Sequence, residues 1–260
     1  MVQGIAEDIL ISGFGLVFVV AGLYAVNLGW TERTRSSEIA DTETTEIRNL
    51  EAGRVEIKGT ALLPEEASPV QSPISRTDAL AAHVEVQEWD SSGRAGNWQT
   101  IHETVVEAPM LVDDGTGRIH VELPSDDGLN VEQTVWEVES NEEPPDDVRR
   151  YVENVAGLDI PERSDYGPVS IGEPRKYKEG YIEPGAEVYV LGSAREADAG
   201  WGERNFVIDD PTDSGEFILS DKSEQELVQE GKVGGLIYIG IGGLVTIAGV
   251  VTVVIPWLPQ

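Results

Sequence analysis

The sequence predicts two transmembrane α-helices flanking a mainly β, α+β soluble domain of the OB-like small-barrel type. Three observations carry this. No charged residue lies between Asp8 and Glu32, and none follows Lys232. Each run exceeds the roughly 20 apolar residues that span a bilayer as a helix. Between them, Val, Ile, Trp and Tyr recur in short alternating strands around a single amphipathic helix. The expected layout is a first span at 9–29, a polar linker at 31–44, a β-rich domain at 45–226, a juxtamembrane stretch at 227–232 and a second span at 233–257.

The first span competes with a cleaved signal peptide, which needs positive charge before the apolar run and small residues after it. Here Glu7 and Asp8 precede it and Asn27-Leu28-Gly29-Trp30 follows, which favours a retained span. Trp257 closes the second run as an interface residue. Residues 1–8 and 258–260 contain no Lys or Arg, whereas Arg33, Arg35, Arg48, Lys222 and Lys232 lie just inside the spans. The positive-inside rule then places the domain on the cytoplasmic side of a cell membrane, in a multi-pass protein with both termini outside.

Gly15, Gly22 and Gly29 repeat every seven residues in the first span, as do Gly235, Gly242 and Gly249 in the second. Seven residues is about two helical turns, so each triplet shares a face on which another backbone can approach. Antiparallel spans would put Gly29 level with Gly235, Gly22 with Gly242 and Gly15 with Gly249. Self-association of one span is the rival reading. Gly234, Gly240 and Gly243 dilute the second pattern.

In chain order, Thr44–Leu50 reads as a short helix, then Arg54–Leu63 as a strand with Val55 and Ile57 on one face. Pro64, Pro69 and Pro73 mark a loop. Ala82–Trp89 alternates, with Val84 and Val86 on one face and His83 and Glu85 on the other. A hairpin connection at 90–96 leads to a strand from Trp98 to Val106. Two apolar strands flank Asp113, Asp114, Gly115, Thr116 and Gly117, a tight turn of OB-barrel type. Pro144-Pro145 opens a helix whose Val148, Tyr151, Val152 and Val155 form one stripe, with Gly157 beyond its end. Residues 183–194 read as a turn and a buried strand, and 206–208 with 217–219 as a last hairpin. Ser223-Glu-Gln-Glu226 fits a capping box opening the helix into the second span.

The chemistry is sparse. Asp and Glu number 48 against 18 Lys and Arg, a net charge of −30, and there is no cysteine. Disulfides, thiolate zinc sites and cysteine nucleophiles are therefore excluded from this sequence. Strong acidity in a foldable domain resembles proteins of extreme halophiles, where salt screens self-repulsion. His83, His102 and His120 lie in separate predicted strands, and the expected metal ligands, cofactors and catalytic residues are none. Asp113 and Asp114 suit a turn better than a cation. Ser72 and Ser75 lack a nucleophile elbow. So acidic a domain repels phosphate, which argues against nucleic acid.

Taken in order, Val55-Glu-Ile-Lys-Gly-Thr-Ala61, Ser72-Pro-Ile-Ser75, Val84-Glu-Val-Gln-Glu-Trp89, Leu111-Val-Asp-Asp-Gly-Thr-Gly117, Pro184-Gly185 with Val188–Ala194, and Phe217-Ile-Leu-Ser-Asp221 resemble the GIDE, or "beside a membrane", domain. The resemblance covers about residues 45–226. In mitochondrial RING-type E3 ubiquitin ligases and in many prokaryotic membrane proteins that domain sits between two transmembrane helices. The eukaryotic ligases carry a zinc-binding RING after the second span. Here the sequence runs only three residues past Trp257 and has no cysteine, so no RING is expected. The resemblance implies a membrane-anchored scaffold or interaction protein with a protein partner. The alternative is a non-catalytic subunit or regulator of a membrane enzyme or ubiquitin-like ligase system. Enzyme activity is left open, with the balance against it.

Overall fold

The computed structural model describes residues 2–91, 96–123, 128–140, 142–155, 158, 164–166, 169–171, 173–197, 205–209 and 217–255. Three helices occur among them: α1 (Val2–Asp41), α2 (Asp146–Asn154) and α3 (Glu224–Val254). The chain divides into two compact units, Met1–Thr42 with Glu224–Gln260 and Glu43–Ser223.

In the first unit α1 and α3 pack side by side, antiparallel. Both are long and apolar enough to cross a membrane, and only 11% of each apolar window is buried. Phe14, Leu23, Leu244 and Ile247 stand exposed on the outer faces. Such a surface is stable in lipid and not in water. The helices extend past the apolar runs. The stretch expected as a polar linker, 31–44, is helical through Asp41, and the 227–232 stretch belongs to α3. The reason is local: no Gly or Pro lies between Gly29 and Asp41 to stop α1, and the hydroxyls that would compete with helix bonds fold back instead. Thr31 Oγ1 donates to Asn27 O at 3.1 Å, Thr34 Oγ1 to Trp30 O at 3.0 Å and Ser36 Oγ to Glu32 O at 2.9 Å.

The second unit is a closed barrel joined to a second sheet. The barrel strands are β1 (Gly53–Leu62), β6 (Met110–Asp113), β7 (Arg118–Val121), β12 (Glu187–Ala197) and β13 (Asn205–Asp209). Pairing runs β1-β6-β7-β13-β12 and closes through β1–β12, where Gly53 faces Ala194 and Thr60 faces Glu187. Numbered within the barrel, the closure reads 1-2-3-5-4-1, and the 3–5 contact (β7–β13) is parallel. This is the OB arrangement. Ile57, Val112, Ile119, Val190, Ile208 and Leu219 fill its interior.

The other sheet consists of β4 (Ala81–Asp90), β5 (Asn97–Glu107), β8 (Gln133–Val138) and β11 (Arg175–Ile182), in antiparallel order β5-β4-β11-β8. The expectation of one barrel missed this layer. Helix α2 covers one face: Val148, Tyr151 and Val152 pack on Val84, Val86, Val138 and Tyr177. Asp146 and Asp147 in its first turn complement the helix dipole, while Gly157 lies outside the described residues. Short pairs complete the unit: β2 (Val70–Gln71) with β3 (Asp78–Ala79), and β9 (Ser164–Tyr166) with β10 (Val169–Ile171).

Two local expectations are corrected. The expected helix at 44–50 is a single 3-10 turn, Ile47–Asn49, gripped from outside as described below. The expected last hairpin does not form: β13 and β14 (Ile218–Ser220) each pair with β12, at different heights. Apolar strands of that length have no preference for each other over a long central strand that offers a full ladder.

The chain enters the barrel beside Glu56 and leaves it beside Tyr189, two residues joined by a hydrogen bond. Thr44 bridges to Glu56 on β1, and Thr45 N donates to Glu56 O at 2.8 Å. Tyr189 on β12 pairs with Lys58 on one side and with Ser220 on the other.

Candidate functional site

The glycines of α1 and α3 meet in pairs. A methyl carbon added at Gly22 would stand 2.6 Å from the carbonyl oxygen of Gly242, and one at Gly242 would stand 2.6 Å from Gly22 O. The same reciprocity links Gly15 with Gly249 at 2.8 and 2.7 Å, and Gly29 with Gly235 at 2.6 and 2.8 Å. Each obstacle is backbone, which cannot swing aside, so only glycine fits. Gly234, Gly240 and Gly243 face open space. One contact escaped the heptad pattern. Gly231 lies against Ser36, where an added methyl would overlap the hydroxyl. Its offset from Gly235 is four residues, the other half of a 3–4 alternation.

The Asp113–Gly117 turn is a clamp. Gly115 takes φ +80°, a conformation open to glycine. Asp113 accepts from Gly115 N and from Arg118 Nε, both at 2.8 Å. The Arg118 hydrogen bond, then that of Gly115, holds its carboxyl below the ordinary range. Asp114 accepts from Thr116 N at 2.7 Å, Gly117 N at 3.0 Å and Ile47 N at 2.7 Å. Burial alone would raise Asp114, but the Ile47, Thr116 and Gly117 donors outweigh it and its carboxyl is lowered. Arg48 N donates to Thr116 Oγ1 at 3.3 Å. Thus the turn fastens the segment that follows α1 onto the barrel. Its lone pairs are occupied by local donors.

Beside the same segment lies a buried carboxylate that sequence reasoning missed. Glu56 is fully buried, accepts from Thr44 Oγ1 at 2.6 Å and Tyr189 Oη at 2.9 Å, and pairs with Lys58 Nζ at 3.0 Å. The signal available was Lys58 two residues on, sharing the face of Glu56 in a strand whose other face is apolar.

Glu179 is also buried, at 1% exposure. It accepts from Ile74 N at 2.6 Å, Ser75 N at 3.0 Å and Ser75 Oγ at 2.5 Å, and Ser75 Oγ contacts Ser72 Oγ at 2.8 Å. Ser72 Oγ in turn accepts from Thr77 N at 3.0 Å. The carboxylate latches the 72–77 loop, in which Arg76 takes φ 60°. Nearby, Tyr151 Oη and His102 Nε2 are buried with no hydrogen-bond partner among the described residues. Burial, then the charge of Glu179, pushes the Tyr151 hydroxyl up to about 12.

The three histidines do not converge. His83 Nε2 meets Glu103 Oε1 at 2.8 Å on the outer face of the second sheet. His102 faces α2, its ring 6.2 Å from that of Tyr151. His120 stands exposed on β7 of the barrel. Among the described residues no group of three His, Asp or Glu side chains could hold a metal ion. The outer face of the second sheet is instead a charge-paired surface. Lys178 Nζ meets Glu85 at 2.9 Å, Thr100 donates to Glu85 at 2.6 Å, Lys176 Nζ stands 4.2 Å over Trp98, and Trp98 packs edge-on against Trp89. Burial works to raise Glu85, but the Thr100, Lys178 and Gln87 bonds prevail and lower it.

An OB-like barrel with a second sheet, in a chain whose two long apolar helices suit a bilayer, defines a membrane-associated β-domain protein. The chain belongs to the GIDE family: the family model, described as E3 ubiquitin ligase, matches residues 81–253. That match begins at β4 and runs through most of α3. No curated protein and no solved structure matches the chain. The reading of the charge as a high-salt adaptation gains no support from the family match.

Proposed function

We propose that this protein is a membrane-anchored GIDE-type scaffold or interaction protein whose β domain stands on the cytoplasmic side and presents its surface to a protein partner. One observation carries the reading. The Glu43–Ser223 unit is tied at both ends to apolar helices; Thr44 near its start bridges to Glu56, whose carboxylate accepts from Tyr189, and Ser220 near its end pairs with Tyr189. A domain inserted in this way is suited to present its surface to a partner. The Lys and Arg at the inner ends of the spans support the cytoplasmic placement.

Photo-crosslinking from the β domain of the full chain in native membranes, at high salt, tests the interaction. A discrete crosslinked protein is expected, and recovery of none overturns the reading. Because the sequence has no cysteine, single substitutions Ser68→Cys and Gln3→Cys report sidedness cleanly. Ser68→Cys should react with an impermeant maleimide only after permeabilisation, and Gln3→Cys before it. The opposite pattern overturns the placement.

The second reading, a non-catalytic partner within a ubiquitin-like ligase system, is favoured by the description of the family model. These 260 residues supply no thiolate for a RING zinc site, so ligase chemistry would come from residues outside them. Co-purification of a cysteine-bearing, RING-like or E2-like protein is the expected result, and its absence from the crosslinked species counts against it.

A further inference from the structure

Among the described residues strand β5 has a neighbour on one edge only. It runs 11 residues, about twice the usual strand length, and pairs with β4 from Glu107, opposite Ala81, to Asn97, opposite Asp90. Among the described residues no backbone group pairs with its other edge. The strand holds no Pro and no Lys, the residues that commonly guard an edge. One irregularity occurs, at Ile101, whose side chain is 41% exposed. Beyond it, 102–107 alternates regularly, placing Glu103, Val105 and Glu107 on one face. Open edges of this kind accept an added strand through main-chain hydrogen bonds, with side chains selecting the sequence.

Charge selects the occupant. Glu103 and Glu107 are the only charged residues on the strand. Partial burial and the like charge of Glu122 push Glu107 up, so this end of the edge lacks positive potential. A second copy of the chain would bring the same acidic strand and its own charge of −30, an arrangement that like-charge repulsion opposes. We propose that the free edge of β5 binds an extended segment of a partner protein carrying Lys or Arg four residues apart, whose basic side chains meet Glu103 and Glu107. This rests on the interaction reading above and names the surface and the chemistry of the partner.

The test uses the full chain in lipid nanodiscs and a synthetic ten-residue peptide of alternating Thr and Val with Lys at positions 3 and 7. Hydrogen exchange of the β5 amides that point away from β4 should slow about ten-fold at saturating peptide. Peptides with Glu at those positions, or with Lys at 3 and 6 on opposite faces, should bind about ten-fold more weakly. The double variant Glu103→Lys with Glu107→Lys should lose the Lys peptide and gain the Glu peptide. If circular dichroism shows that variant misfolded, Glu107→Gln replaces it, with a several-fold loss expected. Unchanged exchange, equal binding of the three peptides, or a β5–β5 dimer formed without peptide overturns the proposal. Crosslinking that maps a partner to another face overturns this surface and leaves the scaffold reading standing; crosslinking that finds no partner overturns both.

Discussion

The hydroxyl of Tyr189 donates to the carboxylate of Glu56 at 2.9 Å, on the faces of β1 and β12 turned away from the barrel core, where Thr44 of the entering segment meets the same carboxylate. Glu56 is fully buried, and its oxygens are met by that donor, by Thr44 and by Lys58. A buried acceptor deprived of one donor loses about 1–3 kcal/mol. Tyr189→Phe should therefore lower the stability of the full chain by that order in denaturant titration, and loosen residues 44–45 first. Unchanged exchange at Thr45 N would show that the network does not hold the segment.

Gly22→Leu or Gly242→Leu drives a side chain into the facing helix backbone. Overpacking of this kind costs about 1–3 kcal/mol. Disulfide crosslinking between cysteines introduced on α1 and α3 should fall sharply, whereas Gly240→Leu, which faces open space, should leave it intact. Equal crosslinking in the two cases would remove the seam.

The Asp114 clamp has a pH signature. Its carboxyl is lowered in the folded state from an ordinary value of 3.8. The stability it contributes is thus complete above that ordinary value and is lost as pH falls through the lower folded one. Asp114→Ala should destabilise the chain at pH 7 by about 1–2 kcal/mol, and the difference from wild type should shrink on acidification toward pH 2. A difference that stays constant down to that pH would show that the charge plays no part.

Tyr151 carries a buried hydroxyl with no partner among the described residues. Removing such a group while keeping the ring is neutral or favourable. Tyr151→Phe should hold or raise the melting temperature. A fall of several degrees would mean that the hydroxyl is satisfied in solution.

A net charge of −30 places carboxylates within a screening length of each other at low salt. Near-ultraviolet circular dichroism should show tertiary packing loosening between about 2 M and about 20 mM potassium chloride. Unchanged spectra would mean that the ion pairs, such as Arg175 with Glu88 and Lys178 with Glu85, suffice by themselves.

By itself the sequence determined the two apolar helices, the glycine positions able to pair, the strands β1, β4 and β5, the amphipathic face of α2 and the Asp113–Gly117 turn. These are local properties. Hydrophobic length, period two or 3.6, and the φ of a glycine need no knowledge of distant residues. Tertiary structure alone decided that β4, β5, β8 and β11 leave the barrel to form their own sheet, because strand periodicity does not say which strand will be the neighbour. It also decided that β13 and β14 share β12 rather than each other. The buried carboxylates Glu56 and Glu179 belong to the same class. An acidic residue in an acidic chain reads as surface until the fold brings Tyr189, Thr44, Ile74 and Ser75 to it, since burial of a charge is fixed by donors far away in the sequence.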